Sequence, residues 1–171
     1  MSDHAHLLGK EHPYSHYFQI IAALVFFPIW LLDSFVFKFS IGLAQFVPWF
    51  LRLIVSLLVI IIAIVITRKA EDVLFKEKYD PSTIIDKGIL AHVRHPLYLG
   101  TLVIYLGFIL GTFSIISFLI FLFVFFLYNK LATYEEQDLE RIFGEKYLEY
   151  KSRVPKWIPR LSSVKPTNSE D

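Results

Sequence analysis

Two groups of polar residues border a long apolar stretch, and together they could bind a charged ligand. The first is Arg94-His95-Pro96-Leu97-Tyr98-Leu99-Gly100, the second is Glu135-Glu136, and no charged residue lies between Leu97 and Asn129. If the groups meet at one membrane face, their side chains suit a zwitterionic or positively charged cofactor that reaches a lipid-dissolved substrate. The alternative is anchoring, in which the same side chains lie among lipid head groups.

The composition favours a membrane protein. The 171 residues are 55% hydrophobic and 17% aromatic, and the mean hydropathy of +0.52 is too high for an ordinary soluble domain. A net charge of +1 offers no basic surface, so nucleic acid is not expected as a partner. The chain contains no cysteine, which rules out disulfides and thiolate catalysis. We predict a single domain over residues 1–171, with no removable signal peptide.

Apolar runs predict four membrane-spanning helices, at about residues 17–37, 46–66, 96–112 and 114–131. Each of the first two is long enough to cross a hydrocarbon core of about 30 Å. The uncharged stretch from Leu97 to Asn129 is too long for one membrane crossing and short for two, which predicts a hairpin of short or tilted helices. Its turn is expected at Gly111-Thr112-Phe113-Ser114, and Pro96 suits the first position of the third helix.

The distribution of basic residues predicts cytoplasmic N- and C-termini. Lys and Arg are frequent between residues 67 and 96 and from Lys130 onward, whereas the other two connections contain only Lys38. Because cytoplasmic loops accumulate positive charge, we predict a multi-pass integral membrane protein, in the plasma membrane of a prokaryote or the endoplasmic reticulum of a eukaryote. The hairpin would then bring both polar groups to the cytoplasmic boundary.

Beyond the hairpin, apolar side chains recur at helical spacing among charged ones and predict an amphipathic helix along the membrane surface that covers the cytoplasmic loops. These side chains are Leu139, Ile142, Phe143, Tyr147 and Tyr150. The predicted fold class is therefore all-α: a multi-pass integral membrane helical bundle with four transmembrane helices plus a C-terminal amphipathic surface helix.

Small and charged residues inside the spans suggest further contacts. Gly107 and Gly111 are spaced for close packing of two membrane helices, whereas Gly100, one turn inside the third helix, is a candidate for backbone approach by a ligand. Asp33 and Arg52 have matching depths near the outer face, and we predict a structural ion pair between them.

Histidine spacing offers no convincing metal centre, and we predict no metal site. The N-terminal tail contains His4, His6, His12 and His16, but no carboxylate at helical spacing supports a structured site there. His92 and His95 are separated by three positions, yet Pro96 breaks any helix that they could share.

The sequence resembles the isoprenylcysteine carboxyl methyltransferase family and its relatives among the phospholipid N-methyltransferases. The resemblance lies in Gly88 to Gly100 and in Glu135 to Pro155, within a cofactor region of about residues 80–159. It implies S-adenosylmethionine as methyl donor, with Glu135 holding the charged end of the cofactor and the loop before Gly88 contacting its nucleoside. The other cofactor-binding residues implied in this way are Ser82, Thr83, Ile84, Ile85, Leu90, His95, Pro96, Leu97, Tyr98 and Gly100.

Methyl transfer from a sulfonium needs alignment and exclusion of water more than acid or base chemistry. We predict Arg94 and Glu136 as catalytic residues, with Arg94 orienting an anionic acceptor. A lipid or lipidated acceptor is expected to enter from the bilayer, among membrane lipids. A phospholipid N-methyltransferase and a non-catalytic packing or transport partner remain alternatives, and the sequence does not indicate an oligomeric state. The family usually has tyrosine at the position of Leu90 and arginine at that of Leu131.

Overall fold

The protein is described here by a computed structural model over residues 13–76 and 83–160. The regular structure of these ranges is helical, as predicted. The five α-helices are α1 (Pro13–Leu31), α2 (Trp49–Glu71), α3 (Pro96–Thr112), α4 (Ile115–Phe143) and α5 (Glu145–Arg153). Short π-helical turns at Leu32–Phe37 and Asp72–Lys76 extend α1 and α2, and 3-10 turns cover Gly42–Phe46 and Gly88–Ala91. The tail residues His4, His6 and His12 lie outside the described ranges, as does the side chain of His16.

Within the described residues, three helices are long and apolar enough to cross a membrane: Tyr17–Phe37, Trp49–Phe75 and Ile115–Phe143. The fourth apolar helix, α3, has 17 residues and is therefore about 26 Å long, slightly less than a typical hydrocarbon core. Most apolar side chains of α1 and α2 remain exposed at the protein surface. These features agree with a multi-pass membrane bundle.

The predicted hairpin is confirmed at both of its ends. Pro96 occupies the first turn of α3, which ends at Thr112. Phe113 then adopts a left-handed backbone with φ of +54°, and the hydroxyl of Ser114 accepts a hydrogen bond of 3.0 Å from the backbone N–H of Ser117. This cap starts α4 in the opposite direction. The beginning of α3 and the end of α4 consequently lie at one end of the bundle.

Close packing of α2 against α3 depends on glycine, as predicted for Gly107 and Gly111. A Cβ atom at Gly107 would lie 2.6 Å from Cγ1 of Ile60, and one at Gly111 would lie 3.1 Å from Oγ of Ser56. The order of these contacts makes the two helices antiparallel. On the other side of α3, α1 packs in parallel with it, and the ring of Phe26 stacks on that of Tyr105 at 4.4 Å between centroids.

The predicted ion pair between Asp33 and Arg52 is wrong. Asp33 is buried and accepts hydrogen bonds from the backbone N–H of Ser40 at 3.1 Å, from the Ser40 hydroxyl and from the Ser114 hydroxyl at 2.6 Å. Arg52 instead donates from Nη1 to the carbonyl of Gly111 at 3.3 Å. The Ser40 and Ser114 hydroxyls, from the two connecting turns, donate hydrogen bonds to the Asp33 carboxylate. The buried carboxylate therefore has hydrogen-bond partners without the Arg52 guanidinium.

The C-terminal amphipathic region also differs from the prediction. It is not one helix, because α4 continues without a break past residue 131 to Phe143, and Gly144, with φ of +54°, separates it from α5. The apolar side of α5 packs on protein: Tyr147 and Tyr150 are buried with Val154. Their partly buried neighbours are Ile84, Leu139 and Phe143. This region therefore packs on the segment before α3, as the predicted covering requires, and the contacts of its buried tyrosines are with protein.

Candidate functional site

The two polar groups identified in the sequence meet where α3 begins and α4 ends. Nε2 of His95 lies 3.0 Å from Oε1 of Glu136, and Nη2 of Arg94 lies 2.9 Å from the same oxygen. In the first turn of α3, the hydroxyl of Tyr98 donates to Oε1 of Glu135 at 2.5 Å. The hairpin thus brings together residues about 40 positions apart, as the apolar spacing predicts.

The adjacent glutamates have different surroundings, because successive residues of an α-helix point about 100° apart. The Glu136 side chain is 5% exposed and contacts both Arg94 and His95, whereas the Glu135 side chain is 18% exposed. Nδ1 of His95 is 3.7 Å from Oε2 of Glu135, so the imidazole lies between the two carboxylates. Glu136 is an internal anchor, and Glu135 is the more accessible carboxylate.

Arg94 is surrounded by acceptors from its own chain. Nε donates to Glu136 at 3.0 Å, and Nη1 donates to the carbonyls of Lys151 at 3.0 Å and Val154 at 2.5 Å. Its backbone N–H also donates to the carbonyl of Pro155 at 3.0 Å. With a side chain only 10% exposed, Arg94 joins α3 to α4 and to the end of α5. Its predicted contact with an acceptor stays a prediction.

The residues after α5 form a strap, defined here as residues 154–160, that crosses the beginning of α3. The backbone N–H of Arg160 donates to the carbonyl of His92 at 3.1 Å, and Nδ1 of His92 lies 2.6 Å from the carbonyl oxygen of Arg160. In the middle of the strap, Nε1 of Trp157 donates to Oδ1 of Asn129 at 3.0 Å. The indole ring lies 6.1 Å from the imidazole of His95.

Lys156 of the strap brings a further cation to the site. Its ammonium group donates to the hydroxyl of Thr133 at 2.7 Å and to the carbonyl of Asn129 at 3.3 Å, and it lies 3.8 Å from Oε2 of Glu136. Burial lowers the pKa of Lys156, and the positive charge of Arg94 acts in the same direction. Sequence reasoning did not single out Lys156, although the polar Asn129 in an apolar run is a signal that could have directed attention to it.

The segment before α3 is held by α5. Gly88 has φ of +57°, and a Cβ atom there would lie 2.7 Å from Cγ2 of Val73, so both backbone conformation and space require glycine. Two residues later Leu90 is buried, and its carbonyl accepts a hydrogen bond of 2.9 Å from the hydroxyl of Tyr150. Burial raises the pKa of Tyr150, as it does that of Tyr147, which keeps the phenol protonated as a donor.

The remaining predicted site residues fall into four groups. Pro96 and Leu97 are at the start of α3 beside the ionic cluster, and Thr83, Ile84 and Ile85 are half-buried in the segment that leads to Gly88. Gly100 faces α2, where a Cβ atom would overlap with the hydroxyl of Thr67, so the structure gives it a helix-packing role. Ser82 lies outside the described residues.

The position where related proteins usually carry arginine contributes no charge here. Leu131 packs against the core of the bundle. The neighbouring Lys130 places its ammonium group 4.8 Å from the centre of the Phe126 ring.

Comparison with known proteins identifies the family of the chain. The family model described as phospholipid methyltransferase matches residues 51–146, which is more than half of the sequence and includes both polar groups. The chain belongs to this family. Members of the phospholipid methyltransferase family are methyltransferases that use S-adenosylmethionine. No solved structure matches the chain.

Relatives with curated names include methyltransferases of two kinds. Protein-S-isoprenylcysteine O-methyltransferase of Homo sapiens is 36% identical over 96 residues, and that of Schizosaccharomyces pombe is 39% identical over 81 residues. Methanethiol S-methyltransferase of Crocosphaera subtropica is 38% identical over 87 residues. These matches cover 46 to 52% of this chain but only 32 to 34% of the relatives, so the chain matches about a third of their length.

The side chains at the end of α4 fit the family's cofactor. S-adenosylmethionine carries an ammonium, a carboxylate and an activated methyl group on a sulfonium, and an accessible carboxylate of the protein can pair with the ammonium. Glu135 is suited to this contact, since its side chain is partly exposed and fixed by Tyr98. Among the described residues no group of three His, Asp or Glu side chains is arranged to hold a metal ion.

Proposed function

We propose that this family member transfers the methyl group of S-adenosylmethionine to a lipid or lipidated acceptor at the membrane surface. The observation that carries the proposal is the meeting of His95 and Tyr98, at the beginning of the short apolar helix α3, with the two glutamates near the end of α4, a helix of membrane-spanning length. A cofactor dissolved in water and an acceptor dissolved in the bilayer would both reach such a position. The names of the isoprenylcysteine-specific relatives support an acceptor of this class.

Glu135 is the proposed partner of the cofactor's ammonium group. The hydroxyl of Tyr98 donates to it and His95 lies beside it, so its position is fixed before any ligand arrives. When bound, S-adenosylmethionine would supply a sulfonium-activated methyl group whose carbon an acceptor nucleophile attacks in line, with S-adenosylhomocysteine as the leaving group. Pro96, Leu97 and the half-buried residues 83–85 are proposed to complete the cofactor site, with Leu90 behind them.

Glu136 and Arg94 support this arrangement from inside the protein. Glu136 accepts hydrogen bonds from Arg94 and lies 3.0 Å from Nε2 of His95, and Arg94 is bonded in turn to the carbonyls that end α5. The strap and α5 cover the beginning of α3, which limits access of bulk water to the site. Exclusion of water and fixed alignment are the main requirements of methyl transfer from a sulfonium.

We further propose a four-span topology with the site and both termini in the cytoplasm. The basic residues near the site, including Arg94, Lys151 and Lys156, favour the cytoplasmic face, and the opposite end of the bundle carries Asp33 and few cations. The membrane would be the plasma membrane in a prokaryote or the endoplasmic reticulum in a eukaryote.

The chemical class of the acceptor can be determined from the product. Membranes that contain the overexpressed protein are incubated with methyl-labelled S-adenosylmethionine, and the labelled lipid fraction is treated with base. A carboxylate acceptor gives a methyl ester, whose label base releases, whereas N-methyl and S-methyl products retain it. We expect base-labile label in the lipid or lipidated fraction. Absence of protein-dependent label from every fraction would contradict the proposed function.

A further inference from the structure

We infer that Lys156 binds the anionic group of the methyl acceptor. The inference rests on the proposed function and names the side chain that selects the acceptor. It is carried by the partners of Lys156, by its burial and by its place between the ionic cluster and the apolar surface of α4.

The first argument comes from how the charges of the site are paired. Arg94 is bonded to Glu136, and the ammonium of Lys151 is bonded to Glu140. Lys156 differs, because its two hydrogen-bond acceptors are neutral oxygens and the closest oxygen of Glu136 is 3.8 Å away. Among the described residues, Lys156 therefore differs from Arg94 and Lys151 in that all of its hydrogen bonds go to uncharged groups.

The second argument concerns solvent. The Lys156 side chain is 17% exposed, so most of it is shielded from water. A charge in such a position gains from an anion within hydrogen-bond distance more than a fully hydrated charge does. Arg94 is less suited to bind the anionic group of an acceptor, because its guanidinium already donates to a carboxylate and two carbonyls of its own chain.

The third argument is the position of the strap relative to the membrane. Next to Lys156, the Trp157 ring lies 5.4 Å from the ring of Phe125 on α4 and 6.1 Å from His95. Phe125 and the adjacent Phe126 belong to the exposed apolar surface of α4. An acceptor with an apolar tail along Phe125 would bring its polar end past Trp157 to Lys156, close to His95 and the glutamates.

A binding experiment tests the inference without turnover. Purified protein in nanodiscs is saturated with S-adenosylhomocysteine, and the dissociation constants of N-acetyl-S-farnesylcysteine and of its neutral carboxamide are measured. We expect the acid to bind about tenfold more tightly than the amide, as one charged hydrogen bond would produce. Lys156→Gln should remove this preference, Lys156→Arg should keep most of it, and Lys130→Gln, a matched loss of charge on α4, should leave it unchanged.

Three results would overturn the inference. The first is a wild-type protein without preference for the acid, and the second is a Lys156→Gln variant that keeps the preference. The third is a loss of S-adenosylmethionine affinity in Lys156→Gln, measured by titration, which would assign the ammonium to the carboxylate of the cofactor. Failure of the proposed function is distinguishable from all three, because it appears as absence of methyl transfer by the wild-type protein.

Discussion

Neighbouring glutamates at the end of α4 take different parts in the site. Glu136 is enclosed by Arg94 and His95, and Glu135 is held by Tyr98 in a more accessible position. A buried carboxylate with charged partners organises the structure around it, whereas an accessible one remains available to a ligand. This division explains why the pair occurs side by side on one helix.

At this scale the structure indicates a structural role for Arg94. Arg94→Lys should lower the free energy of unfolding by about 2 kcal/mol, because a single ammonium cannot replace bonds to Glu136, Lys151 and Val154 at once. The affinities for cofactor and acceptor should weaken together as the strap loosens. Thermal unfolding in detergent and both binding constants check this. A raised acceptor KM with unchanged thermal stability and cofactor affinity would instead support the predicted acceptor contact.

Some residue roles could be predicted from the sequence and others could not. The meeting of Arg94 and His95 with the glutamates follows from an uncharged run that must return to its starting side. The positions of Lys156 and Trp157 depend on contacts of the strap with α4, between residues 23 to 28 positions apart with a helix break between them. No local periodicity describes such a contact.

Among the elements, the antiparallel pair of α2 and α3 positions the start of α3 and thus the site. Their close approach relies on Gly107, which has Ile60 opposite. In a helix interior alanine is ordinarily favoured over glycine by about 1 kcal/mol, so the local preference alone would make Gly107→Ala stabilising.

We expect the opposite at Gly107, since the added methyl group would overlap with Ile60 and force α2 and α3 apart. Gly107→Ala should destabilise the protein by about 1 kcal/mol or more. Gly42→Ala is the matched control: a Cβ atom at Gly42 meets nothing within 4 Å, and its stability should change by less than about 0.5 kcal/mol. Thermal unfolding of both variants is the measurement, and equal stability of the two would argue against tight α2 and α3 packing.

Some helix boundaries could be predicted from sequence patterns, and others could not. The α3 and α4 hairpin was predicted from Pro96 and from the polar turn at residues 111–114, because capping is local chemistry. The end of α4 was not: its apolar pattern stops near residue 131, but nothing in the helix breaks the backbone before Gly144. The ion pair of Asp33 with Arg52 was wrong because depth alone does not reveal the serine hydroxyls that satisfy Asp33.

At the scale of the whole molecule, the two ends of the helical bundle carry different polar groups. The site, α5 and the strap lie at one end of the bundle, and Asp33 with its serine partners lies at the other. In our proposal the first end is cytoplasmic.

The absence of native cysteine makes this topology directly testable. Single cysteines are introduced by Ser152→Cys on α5 and Phe39→Cys in the connection after α1, both at exposed positions. A membrane-impermeant maleimide applied to inside-out vesicles should label the first, and the same reagent outside right-side-out vesicles should label the second. Labelling of both variants from the same side would contradict the four-span topology.

The central proposal is that Glu135 binds the ammonium group of S-adenosylmethionine, and calorimetric titration of the purified protein with S-adenosylmethionine tests it. We predict saturable binding, weakened about tenfold or more by Glu135→Gln through loss of a charge-assisted contact, and unchanged by Glu145→Gln, an exposed glutamate at the start of α5. No saturable binding by the wild-type protein, or equal affinity of wild type and Glu135→Gln, would contradict the assignment of this site.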